Sequence, residues 1–365
     1  MTWSHPRGYD PMVATSAVWR DRTGVEIVWD KRSLQDFETF PVDQLARQYD
    51  LIVIDHPHVG QITAEGCLAP LDVPGRERER DELRRFSVGR SYPSYTWAGR
   101  QWAFPIDAAT QVQAYRPDRL ERPAESWDEV IVLAKAGHVV LPMLPPHSLM
   151  TFFTLAANMG APCATTEGDL VEERAGIEVV SRLIEITKLI EPSNFAMDPI
   201  NASEAMAREG PLVIVMPFGY GYVNYALDGF RAGRLKFVDI PLLSARGAAL
   251  GGTGIAVSAH SPNMPAAIDY AYWVASGDVQ RGTYAAAGGQ PGHAAAWVDE
   301  AVNAPAHGFY RDTRKTLEGA WVRPRHIGYM AFQDMASKRL NAGLLSGEAP
   351  GAIVASLNTL FRGSF

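Results

Sequence analysis

The chain has 365 residues, 47% of them hydrophobic and 21% charged, with a formal net charge of -7. That is enough to bury a full core, and the length fits two lobes better than one. Acidic and basic residues are mixed along the sequence, so it offers no sustained positive surface for a phosphate backbone, and no run reaches the ~18 to 20 apolar residues of a membrane helix. Nucleic acid and membrane insertion are thereby excluded.

The opening Met1-Thr2-Trp3-Ser4-His5-Pro6 lacks the basic start, apolar core and small-residue cleavage site of a secretory leader. Two expectations follow: a periplasmic or extracellular protein whose leader has been removed, or a cytoplasmic one. Residues 12–22 have helical spacing, Val25-Glu26-Ile27-Val28-Trp29 is a β-rich run, and 42–49 is helical again. Leu51-Ile52-Val53-Ile54 is a continuous apolar strand, as in the buried strands of a parallel sheet. This order predicts an open doubly wound α/β sheet, whose ligands sit beyond the carboxyl ends of the strands. Segments 4–9 and 55–60 fall at two such ends and are neighbours in a 2-1-3 strand order. His5, Arg7, Gly8, Tyr9, Asp55, His56 and His58 are therefore candidate ligand contacts.

Further along, Cys67 and Cys163 are the only cysteines. They read as buried free thiols, with a single bridge as the alternative. Residues 75–90 alternate Arg with Glu and Asp, which predicts a solvated helix face or, alternatively, a docking surface. Ser126-Trp127-Asp128-Glu129 has the pattern of a capping box, opening a helix that runs to about Lys135. Val139 to Leu141 reads as a strand, and 148–159 and 174–189 as helices. Leu212 to Met216 reads as a second buried strand, followed by the loop Pro217-Phe218-Gly219-Tyr220-Gly221-Tyr222. Gly251-Gly252-Thr253-Gly254 leads into the strand Ile255-Ala256-Val257. A helix over 265–275, the loop Gly288-Gly289-Gln290-Pro291-Gly292, and amphipathic helices near 327–341 and 351–361 complete the chain.

Four of these segments, in order, carry a family resemblance: Phe104-Pro105-Ile106-Asp107 with Thr110, Tyr115 and Asp118; Pro123 with Ser126-Trp127-Asp128-Glu129; Gly251 to Ser258 with Ser261-Pro262-Asn263 and Ala266-Ala267; and Ser346-Gly347-Glu348 before the final helix. The chain resembles the carbohydrate-type extracellular solute-binding proteins of bacterial ABC importers. The resemblance implies a periplasmic-binding-protein fold of two lobes with a ligand cleft between them, closing by hinge motion. One lobe is expected from residues 1–107 with about 252–305, the other from 108–251 with about 306–365. It implies a sugar or sugar acid as the bound solute and an ABC permease as partner, with no cofactor and no metal.

Sugars are held by aromatic faces and planar polar groups, because each buried hydroxyl left unpaired costs about 1 to 3 kcal/mol. Trp102, Tyr220, Tyr222 and Tyr329 are the stacking candidates, each with a core role as its alternative. Arg7 suits a carboxylate or phosphate oxygen, or else an ion pair within its lobe. Asp107 caps the hinge or accepts from a ligand hydroxyl. Gly252, Thr253, Gln290 and Arg325 complete the candidate contacts. His5, His56 and His58 are hydrogen-bonding ligand contacts or hinge-facing structural groups or, in a rival reading as a cytoplasmic enzyme, a catalytic acid and base for an oxygenated substrate. Gly-x-Ser-x-Gly, P-loop and His-Glu-x-x-His signatures are absent, and the glycines at 251–254 precede a strand, so they form no dinucleotide fingerprint.

Overall fold

A computed structural model describes residues 1–33, 42–241 and 247–365. The chain divides into two compact units, one comprising Met1–Ala109 and Gly251–Arg311, the other Thr110–Leu250 and Asp312–Phe365. It therefore passes from one unit to the other three times, and two of those passages run within strands, Phe104–Tyr115 and Leu250–Ser258.

In the first unit, Thr2–Trp3 pairs parallel with Lys31–Arg32. On its other side Met1 donates to the Leu51 carbonyl at 2.9 Å and accepts from the Val53 amide at 3.0 Å, so the first strand lies between the other two. Leu51–Ile54 is wholly buried, as an unbroken apolar run requires, but its other neighbour is antiparallel: Gly254 to Val257 pair with Ile54 to Leu51. Two expectations shift. The 25–29 run forms no strand, because Val25 and Val28 are exposed and the Trp29 indole donates to the Ser16 hydroxyl; the pairing is made two residues later. The first helix, Pro6–Thr23, starts well before residue 12 and absorbs the 6–9 segment. Proline is tolerated in its first turn because the missing N–H is unpaired there anyway. Glu77–Arg85 is a helix burying only Leu83, as a solvated face should.

The core of the second unit packs the helices His147–Asn158, Glu173–Thr187, Tyr329–Ser346 and Pro350–Arg362 around Phe152, Leu183, Phe332 and Phe361. Its strand in this region is Val215–Tyr220 rather than 212–216, paired with the Phe104–Tyr115 strand. Leu212 is 74% exposed, while Pro217 and Gly219, expected in a loop, lie inside the strand. Gly219 pairs with Val112 and leaves no room for a Cβ beside the Met216 thioether. Val139 contributes an isolated parallel bridge to Val215 instead of a strand. Ser126 caps the Trp127–Lys135 helix by accepting from the Glu129 amide at 3.3 Å. The reciprocal half of the box is displaced: Glu129 accepts from the Glu125 amide at 2.8 Å and pairs with Arg122.

Cys67 and Cys163 are buried and free, which rules out the single-bridge alternative. Burial raises the Cys67 thiol to about 11 and pushes the Cys163 thiol up as well, so both are inert small hydrophobes. Among the described residues, no helix is long and apolar enough to cross a membrane.

Candidate functional site

In the first unit the candidates gather around the start of the first helix and the start of the Phe104–Tyr115 strand. His5 is the N-cap, its Nδ1 accepting from the Arg7 amide at 3.1 Å. Arg7 is buried, and its guanidinium meets the Asp107 carboxylate with two parallel N–H bonds: Nε to Oδ2 at 2.9 Å, and Nη2 to Oδ1. Burial pushes the Asp107 carboxyl upward against the pull of that guanidinium. Arg7 thus makes the ion pair within its own unit. Gly8 lies where a Cβ would enter the Trp3 ring. Tyr9 is half-buried, with the Lys31 ammonium 4.4 Å from its ring centre.

Asp107 stands next to the glycine run. Gly252 has φ +95°, and a Cβ there would strike the Asp107 carbonyl, so only glycine fits this close approach. Gln290 lies in the same backbone ladder: its carbonyl accepts from the Ala108 amide at 2.8 Å and its side-chain amide donates to the Ala108 carbonyl at 3.2 Å. The Tyr95 hydroxyl donates to the carbonyls of Ile54 and Gly252. The fully buried His56 ring meets Tyr95 edge-on at 6.3 Å, and its backbone amide donates to Asp55. His58 is also buried, on the same short helical turn, His56–His58. Trp102 is half-buried and donates its indole N–H to the Trp97 carbonyl. The Thr253 hydroxyl is buried with no hydrogen-bond partner among the described residues.

In the second unit Tyr220 ends its strand rather than lying in the expected loop, whereas Tyr222 lies in the short connection that follows, just before the helical turn Val223–Ala226. Arg325 is half-buried, and burial lowers the affinity of its guanidinium for a proton. Tyr329 is fully buried at the start of its helix and packs in the core cluster.

Other polar residues of this unit escaped the reading of the sequence. Every residue of the His147–Asn158 helix is buried, yet Ser148, Thr151, Thr154 and Asn158 are polar. Thr151 accepts from the Gln111 side chain at 3.1 Å. Thr154 donates to that same side chain at 2.6 Å and accepts from the Ala249 amide at 3.0 Å. These contacts seat the helix on the Phe104–Tyr115 strand. The helix's first turn is different: the Ser148 hydroxyl and His147 Nδ1 are buried with no partner among the described residues. Tyr220 meets the His147 ring edge-on at 6.4 Å. Burial, helped by the Arg323 charge, lowers the His147 imidazole to about 3 and keeps it neutral. Arg323 donates to Gln333 at 3.2 Å. A polar stripe at three-residue spacing in an otherwise apolar helix was the available signal.

Taken unit by unit, the Thr253 hydroxyl in the first and His147 Nδ1 and the Ser148 hydroxyl in the second are buried polar atoms with no partner among the described residues. Among the described residues no cluster of His, Cys, Asp and Glu is arranged to hold a metal ion.

A model of the bacterial extracellular solute-binding proteins matches residues 22–307, well over half the chain. The chain belongs to that family. Its fold is that of the periplasmic binding proteins, on the likeness to solved structures. Maltose-bound MalE3 of T. maritima is 16% identical, with a TM-score of 0.83 over 98% of this chain and 96% of that one. An ABC transporter solute-binding protein from Thermotoga lettingae bound with α-D-tagatose is 14% identical, with a TM-score of 0.83 over 98% and 96%. One from Agrobacterium radiobacter K84 in complex with ribitol is 18% identical, with a TM-score of 0.74 over 98% and 97%.

Proposed function

We propose that this solute-binding protein captures a neutral sugar or sugar alcohol outside the cytoplasmic membrane, by hinge closure, and delivers it to an ABC permease. The family match carries the reading, and the solved structures it resembles hold maltose, tagatose and ribitol. Within the second unit His147 and Ser148 support it, since each has a buried polar atom with no partner among the described residues. A sugar acid is the weaker choice because the Arg7 charge is already matched by Asp107. His147 stays neutral well below pH 7 and so suits a hydroxyl better than a carboxylate.

Calorimetric titration and melting curves with maltose, tagatose and ribitol test the proposal. The expected result is saturable binding of at least one, with a raised melting temperature and, by small-angle scattering, a smaller radius of gyration. Ser148→Ala and Thr253→Ala each weaken that binding about tenfold, the loss of roughly one hydrogen bond to a ligand hydroxyl. A folded protein that binds none of the three, or binds them unchanged in both variants, sinks the reading.

A further inference from the structure

The 322–328 loop, which carries Arg323 and Arg325, is tied down at both ends. At its start, Trp321 is bonded on both sides of its backbone, its amide to the Ala248 carbonyl and its carbonyl to the Leu250 amide, each at 2.8 Å; its indole donates to the Cys163 carbonyl at 3.0 Å. At its end, the last residues of the sequence pack against it. The His326 ring stacks on Phe365 with centroids 3.8 Å apart and planes 18° from parallel. His326 Nε2 shares a hydrogen bond with the Ser364 hydroxyl at 2.8 Å, and that hydroxyl donates on to the Phe361 carbonyl at 2.6 Å. Gly328 lies under the Ser364 carbonyl, which a Cβ there would strike. Phe361 meets both rings edge-on, 5.9 Å from His326 and 5.2 Å from Phe365. Immediately after Gly328, in the first turn of the helix, Tyr329 and Phe332 join the same aromatic stack.

Phe365 is 48% exposed, so this contact adds little to the core. Its consequence is geometric. A residue stacked on one face by Phe365, just beyond the final helix, and bonded by its ring nitrogen has one orientation, and it stands near the end of the loop that carries Arg323 and Arg325. We infer that Phe365 and Ser364 form a clasp on His326, and that His326 is a positioning residue: by fixing the end of the 322–328 loop it sets the placement of Arg325, the candidate contact that loop carries, and through it the affinity of this unit for its solute. The inference rests on the carbohydrate reading above for the identity of the solute. The clasp itself does not.

The experiment compares the full chain with Phe365→Ala, Phe365→Tyr and His326→Ala. Two things are measured: hydrogen exchange at the amides of 325–328, and the dissociation constants for maltose, tagatose and ribitol. Phe365→Ala is expected to speed exchange at those amides at least tenfold, with melting temperature nearly unchanged. It should weaken binding of whichever carbohydrate the parent protein takes by five- to tenfold. Phe365→Tyr restores both, and His326→Ala reproduces both losses without adding to those of Phe365→Ala in the double variant. Unchanged exchange in Phe365→Ala overturns the clasp. Faster exchange with unchanged affinity overturns its role in binding. A parent protein that binds none of the three carbohydrates defeats the functional reading instead, and the exchange rates alone then decide whether the clasp exists.

Discussion

Arg7 and Asp107 show how one pair of side chains settles what a motif leaves open. In the sequence they are 100 residues apart, and each had a ligand role and a structural role available. The fold brings them into bidentate contact where both are almost fully buried. Removing one partner strands the other charge in low dielectric, so Arg7→Ala and Asp107→Ala each lose about 3 to 5 kcal/mol of stability in urea unfolding, while the double variant loses less than the sum. Additive losses would mean that the two do not act as a pair. His147 makes a different prediction, about pH. Its folded imidazole titrates near 3 against about 6.5 when unfolded. As pH falls through that window, the unfolded chain takes up a proton that the folded chain refuses. Stability therefore falls with acid by up to about 1.4 kcal/mol per unit. His147→Gln should flatten that decline between pH 7 and 4.5, and parallel slopes for variant and parent would assign the decline to other groups.

At the scale of elements, the helices were legible wherever capping chemistry and periodicity agreed. Ser126 starts its helix where the residue pattern says it must, and Ser126→Ala should cost about 1 kcal/mol, read from the same urea titrations. A loss near zero would mean that the Glu125 and Glu129 contacts hold the turn without it. Strand ends were less legible. A strand's limits depend on which neighbour supplies hydrogen bonds, and that neighbour is distant in sequence. Val25 to Trp29 has better β composition than Lys31–Arg32, yet the latter pairs because Thr2–Trp3 lies alongside it. Pro217 and Gly219 argue locally against a strand, and the Phe104–Tyr115 strand overrides them. The Gly251 to Gly254 run likewise lies inside a strand instead of before it, with Gly252 held at positive φ against the Asp107 carbonyl.

For the whole molecule, the two cysteines lie in different units and are both free, so a reducing agent should leave the melting temperature unchanged. A fall on adding dithiothreitol would reveal a bridge. A solute that binds only the folded chain raises its stability by about 2.7 kcal/mol at a hundred times its dissociation constant, which makes ligand-dependent melting the most sensitive global reading of function.

By itself, the sequence determined the fold class and the family, because four short motifs in a set order and an alternation of apolar strands with capped helices are local patterns that survive without a structure. It also offered Thr253 as a candidate contact, whose hydroxyl is buried with no partner among the described residues. What only the tertiary structure decided is which polar groups are already paired. Arg7 is matched to Asp107, and Thr151 and Thr154 to Gln111, while His147 and Ser148, in the first turn of a buried helix, each have a buried polar atom with no partner among the described residues. Pairing depends on residues brought together from distant positions in the chain, and burial is what makes an unpaired hydroxyl costly.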